Sequence, residues 1–231
     1  MAPVPNITKA GSFGGGSGPT GGPSFTMSVV PGYMVLMLSQ FSNSSPTFRT
    51  PTVGGVAADS LAADYVDTLG GTNLKSHLYG IEITAAGTVT VEGGLSENFY
   101  QSNLEATLFT GASSAPVSAA AGFSLTSSAF SQTLTSASGD LAAAMLLESA
   151  GLSFTPGSGV TSTSGTNVGT VNNWALSKAG ASSVTIDGTF ASTPGGWGWK
   201  YSLAAGAGGG GGAVSPAPRP RASRFASLIN L

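Results

Sequence analysis

Leu141-Ala-Ala-Ala-Met-Leu-Leu147 is the stretch whose reading decides the fold. By propensity it is a helix, because alanine, leucine and methionine are all strong helix formers. It is short, however, and it lies between the turn signal Ser138-Gly-Asp140 and Gly151. Its neighbours read as strands. A continuous apolar run between turn signals is what a strand buried on both faces looks like, and length and flanks arbitrate in favour of strand here. We read Leu141–Leu147 as a buried strand.

The same reading extends outward. Downstream, Asn172–Lys178, Ser183–Asp187 and Trp197–Ala204 complete a set of strands. Upstream, Phe25-Thr-Met-Ser-Val-Val30 alternates and stops at Pro31-Gly32, and Tyr33–Phe41 is a second continuous apolar run. Pro46 and Pro51 bracket an expected loop. Thr52-Val-Gly-Gly-Val-Ala57 places a Gly-Gly pair between valines, a hairpin signal. Leu74–Ile83 carries His77, Tyr79 and Ile81 on one face, and Thr88–Val91 alternates cleanly. Leu104–Thr110 ends at Gly111, with Phe123–Leu125 and Gln132–Thr135 as weaker strands. No long segment has apolar residues at i, i+3, i+4 and i+7, and no repeat of fixed period is visible. The expectation is all-β: an antiparallel β-sandwich, jelly-roll-like, over residues 24–205.

Two segments lie outside that domain. Residues 1–23 hold Pro3, Pro5, Pro19 and Pro23 and the Gly11–Gly18 stretch, a composition that does not fold alone. They read as a flexible or extended N-terminal arm, either a free leader or one that orders along a neighbouring subunit. Residues 206–231 begin with the glycine run Gly208–Gly212 and the stiff Pro216-Ala-Pro-Arg-Pro220. They end in Arg221-Ala-Ser-Arg-Phe-Ala-Ser-Leu-Ile-Asn-Leu231. Phe225, Leu228 and Ile229 fall on one short helical face, with Leu231 at the end and Arg219, Arg221 and Arg224 alongside. This is the pattern of a tethered docking peptide, its apolar face entering a groove while the arginines meet acidic groups. A frayed tail is the plainer reading.

Composition narrows the function. Charged residues are 8 % of the 231, against about 25 % in an ordinary soluble domain. Such a surface is either neutral or covered by other subunits. The net charge of -2 argues against a nucleic-acid partner. No apolar run approaches the length of a membrane helix, so no membrane insertion is expected. The start of the chain shows no secretory signal, which suits a protein made in a host cytoplasm and released within a particle. Without cysteine there is neither a disulfide framework nor a Cys-ligated zinc site.

Chemistry is hard to find. His77 is the single histidine, and a Ser-His-Asp system would have to use it. No Gly-x-Ser-x-Gly elbow accompanies it, and a lone strand histidine is more often a hydrogen-bonded or surface residue. Asp59, Asp64 and Asp67 form the densest acidic group, but their spacing is not that of a calcium loop, and they read as a solvated loop. Glu82, Glu92, Glu97 and Glu105 offer carboxylates for glycoside hydrolysis without a visible pair. We expect no catalytic, cofactor or metal site. The most distinctive local feature is Trp197-Gly-Trp-Lys-Tyr201, which puts Trp197, Trp199 and Tyr201 on one strand face. Buried, that stripe is core or subunit packing; exposed, it binds glycan.

The order of Tyr33–Phe41, Val53-Gly-Gly-Val56, His77-Leu-Tyr-Gly-Ile81, Gly87-Thr-Val-Thr-Val91, Phe109-Thr-Gly111, Gly139-Asp-Leu-Ala142 and Gly196–Tyr201 resembles a jelly-roll β-sandwich of tailed-phage and prophage virion proteins. The resemblance implies an external virion component: a head decoration, head fibre or spike. Its partners would be other capsid or tail proteins and further copies of itself, with a trimer as the expected symmetry. The alternatives are a tail fibre recognising a host surface glycan and a carbohydrate-binding module.

Overall fold

The structure, a computed structural model, describes residues 4–16, 22–42, 48–69, 72–95, 99–164 and 171–206. Among them every regular element is a strand. In chain order these are β1 (Val4–Gly16), β2 (Ser24–Val29), β3 (Gly32–Ser42), β4 (Phe48–Val53), β5 (Val56–Ala57) and β6 (Asp59–Leu69). Next come β7 (Thr72–Ile83), β8 (Gly87–Leu95), β9 (Phe99–Thr110), β10 (Ala112–Leu125), β11 (Ala129–Leu134) and β12 (Leu141–Glu148). The last are β13 (Phe154–Pro156), β14 (Thr161–Ser164), β15 (Asn172–Ala179), β16 (Val184–Phe190) and β17 (Gly196–Ala205). All pairings are antiparallel.

These strands form four sheets, ordered β1-β9-β3-β7-β6, β10-β17-β12-β15-β14, β2-β8-β4-β5 and β11-β16-β13. The two five-stranded sheets pack face to face through Tyr33, Val35 and Met37 on one side and Met145, Leu147, Trp197 and Trp199 on the other. The β2-β8-β4-β5 sheet covers the outer face of the first through Met34, Leu36 and Leu38. The β11-β16-β13 sheet covers the outer face of the second through Ala142, Ala144 and Leu146. The described residues are therefore stacked in four layers.

That layering explains the two continuous apolar runs. β3 and β12 each lie inside a central sheet and meet an apolar layer on both faces. All eight residues of β12 are buried. Odd-numbered Leu141, Ala143, Met145 and Leu147 face the other central sheet, while Ala142, Ala144 and Leu146 face the outer one. Burying a leucine or methionine side chain is worth about 1.5–3 kcal/mol. A helix could not turn alternate residues into two flat layers at once. Tertiary packing thus overrides the helical propensity, and the buried-strand expectation holds.

The Gly-Gly hairpin forms as expected. Gly54 and Gly55 have φ of 58° and 82° and join Val53 to its partner Val56. Both central residues lie in the left-handed region, the requirement of the tight turn that matches strand twist. Elsewhere the structure departs from expectation. The segment expected to be an N-terminal arm contains β1, which pairs with β9 as the edge strand of a central sheet. Asp59, Asp64 and Asp67, expected on a solvated loop, lie on β6. Alternation fails there because the β6–β7 register slips twice, between Ser60 and Ala62 and between Ala62 and Tyr65. Pro51, expected in a loop, is inside β4, at an irregularity in its pairing with β8. A bulge is where a sheet tolerates a residue without an N–H.

Candidate functional site

The aromatic stripe is core. Trp197 and Tyr201 are fully buried and Trp199 nearly so. Their rings fill the space between the central sheets, so a glycan has no exposed ring there to stack on. Gly196 and Gly198 alternate with them, and a Cβ at either would collide with the carbonyl of Leu147 or Met145 on β12. The indole nitrogens cross the sheet interface: Trp197 Nε1 donates to Ser39 Oγ at 3.0 Å and Trp199 Nε1 to Ser76 Oγ at 2.9 Å. The two serine hydroxyls, opposite one another on β3 and β7, are themselves bonded at 3.0 Å. Tyr65 of β6 closes this end, its ring edge-on to Trp199 and its hydroxyl bonded to Ser124 of β10.

The neighbouring part of the same interface is different. Asn103, Glu105 and Thr107 alternate along β9 with Leu104, Ala106 and Leu108. In register they stand beside Ser39, Met37 and Val35 of β3, and so face the other central sheet. All three are buried, and none of their side-chain polar atoms has a hydrogen-bond partner. The Tyr201 hydroxyl is also buried without a partner. Burial holds the Glu105 carboxyl well above the usual carboxylate range. The Tyr201 phenol is pushed well up as well, first by burial and then by Glu105. A carboxyl in such surroundings stays protonated instead of paying for an unpaired charge.

The remaining candidates are dispersed. His77 Nε2 is 2.8 Å from Ser60 Oγ, the spacing of a base and a nucleophile. The ring is stacked on Tyr79, with centroids 4.3 Å apart, and stands edge-on to Phe48 of β4, which makes it part of the packing between β7 and β4. Glu82 is exposed on β7, and exposed Glu92 on β8 accepts a long hydrogen bond from Thr52. With Glu105 buried, the structure brings no two of these three carboxylates together. Glu97 lies outside the described residues, as do Arg219, Arg221, Arg224, Phe225, Leu228, Ile229 and Leu231 of the expected docking peptide. Among the described residues no group of three or more acidic or histidine side chains could hold a metal ion.

What is formed as a site is a cleft of about 360 Å³ beside the start of β15. It is lined by Gly151, Leu152, Ser153, Ser164, Asn172, Asn173 and Trp174. One wall is the loop after β12, and several bonds fix it. The Glu148 carboxylate accepts from the backbone N–H groups of Ala150 and Leu152, the latter at 2.8 Å. Asn172 Nδ2 donates to the Leu152 carbonyl at 3.0 Å, and Ser149 Oγ donates to the Gly195 carbonyl at 2.7 Å. Gly151, at φ 70°, supplies the left-handed turn the loop needs. Opposite stands Trp174, partly buried, with its ring 5.7 Å from Phe154. The Asn173 amide and Trp174 Nε1 are buried without hydrogen-bond partners.

Reading the sequence for site residues misses this cleft. Trp174 sits within an ordinary strand pattern, and its wall comes from residues about twenty positions away. The signal that was present is Asn172-Asn-Trp174, a pair of amides beside an indole. Compared with protein-family models, curated proteins and solved structures, the chain gives no match.

Proposed function

We propose that this chain is a non-catalytic structural protein of a particle exterior, of the kind found on tailed-phage virions, where a rigid β slab is presented and held in place through the terminal segments. The observation that carries the reading is where the aromatic and acidic side chains go. Trp197, Trp199 and Tyr201 pack between the central sheets, and Glu105 is enclosed there without a partner, so all four are turned away from the surface. The scarcity of charge adds support: a chain with 8 % charged residues suits a protein whose neighbours cover part of its surface. Linked weak anchors at the C-terminal end would raise binding to a repeating lattice through effective concentration, without one large interface. The partners on this reading are other virion proteins and further copies of the chain, with a trimer the proposed symmetry.

Deletion of residues 213–231 tests it. The shortened protein should fold with an unchanged β spectrum and fail to enter particles. Incorporation at the full level after deletion, or turnover of a sugar or ester by the purified full-length protein, would defeat the proposal.

A further inference from the structure

We infer that the cleft beside Trp174 is a binding site for a neutral saccharide. Size comes first. At about 30 Å³ per water, 360 Å³ holds about a dozen waters, and ligand pockets begin at about this volume. The cleft is large enough for a sugar ring.

Its chemistry selects the ligand class. Among the described residues, no side chain lining it is charged. The nearest carboxylate, Glu148, points its oxygens at the amides of Ala150 and Leu152 and is occupied by them. A phosphate or sulfate would find no cation there, and an amine no free carboxylate. An apolar ligand would strand Ser153, Ser164 and Asn172. The lining does offer what a polyhydroxylated ring needs: two serine hydroxyls, the Asn172 carboxamide and an indole. Hydroxyls and carboxamides both donate and accept, as sugar hydroxyls do. An indole at the wall gives the C–H face of the ring a flat apolar surface.

Trp174 is the second observation. It lines the cleft, and its Nε1 is buried without a hydrogen-bond partner. Asn173, in register with Leu147 of β12, turns its own unpartnered amide to the other face of the sheet, between the central sheets. Buried polar groups in folded proteins are nearly always bonded, and an unpaired indole N–H in the wall of a cleft points to a bound species that completes it. The wall is also held in place beforehand. The Glu148, Ser149 and Asn172 bonds fix the loop of residues 149–153, which lowers the ordering cost of binding.

The test uses the full chain on an array of immobilised neutral, sialylated and sulfated oligosaccharides, followed by titration of tryptophan fluorescence with the free sugar that binds. Trp197 and Trp199 are buried in the core, so the reporting indole is Trp174. We expect binding to neutral glycans, a saturable change in emission, and its loss in Trp174→Phe together with about a tenfold fall in affinity. Ser164→Trp, which fills the cleft from the neighbouring strand, should abolish binding while the circular dichroism spectrum stays unchanged. Three results would each overturn the inference: no neutral glycan bound at millimolar concentration, preference for the sialylated or sulfated members, or unchanged affinity in both variants.

Discussion

The space between the two central sheets contains two neighbourhoods that satisfy their polar atoms in opposite ways. Around Trp197 and Trp199, each indole N–H reaches a serine on the facing sheet, and the serines bond to each other. Around Glu105, the Asn103 amide, the Thr107 hydroxyl, the Tyr201 hydroxyl and the carboxyl itself are equally buried and have no such partners. The difference shows what polar residues do in this core. In the first neighbourhood they set the register of one sheet on the other, because an indole bonds only where a serine stands. In the second they are a cost that the surrounding apolar burial carries, and that cost depends on protonation.

Replacing Trp197 by alanine breaks the comparison most severely. It removes the largest fully buried side chain and leaves Ser39 without its donor. A loss of about 3–5 kcal/mol is expected, read as a fall in the urea midpoint or as failure to fold. Glu105 should respond in the opposite direction. Glu105→Leu removes an unpartnered group and leaves no other group orphaned, so a gain of about 1–3 kcal/mol at neutral pH is expected.

The same residue predicts a pH dependence. Below the usual carboxylate range, folded and unfolded chains both keep the Glu105 proton and the group adds no pH dependence. As pH rises, the unfolded chain releases the proton while the fold, whose carboxyl is raised, retains it. Stability then falls by about 1.4 kcal/mol per unit until the folded carboxyl itself ionises. Unfolding measured from acid to neutral pH should show this slope in the native protein and not in Glu105→Gln; an equal slope in both would show that the group is not buried and neutral. The smallest effect is expected for Tyr201→Phe, which keeps the ring against Phe109 and deletes an unpaired hydroxyl. Its thermal midpoint should be unchanged or slightly raised, within about 1 kcal/mol.

Much of the fold was legible from local pattern. The runs at Tyr33–Phe41 and Leu141–Leu147 were readable as strands covered on both faces, because only such strands have no polar side. The Gly54-Gly55 turn was readable because a tight hairpin demands left-handed residues. β1 was not readable. Its glycines and proline suggest a disordered arm, and its place at a sheet edge comes from pairing with β9, a strand that begins more than eighty residues later. β9 misleads in another way. Its alternation of Leu104, Ala106 and Leu108 with Asn103, Glu105 and Thr107 describes a strand half exposed to water, yet both faces are covered. The cleft at Trp174 was also invisible, since its two walls meet only when β12 and β15 pair.

The sequence by itself determined the secondary structure class, the tight turn and the apolar faces, because each follows from steric limits and side-chain periodicity within a few residues. Only the tertiary structure decided which faces meet. Stacking four layers turned the aromatic stripe inward, enclosed a carboxyl that local pattern would place in water, and opened a neutral cleft where a loop crosses a strand. Those outcomes depend on contacts between distant segments, whose closure free energy no short window of sequence contains.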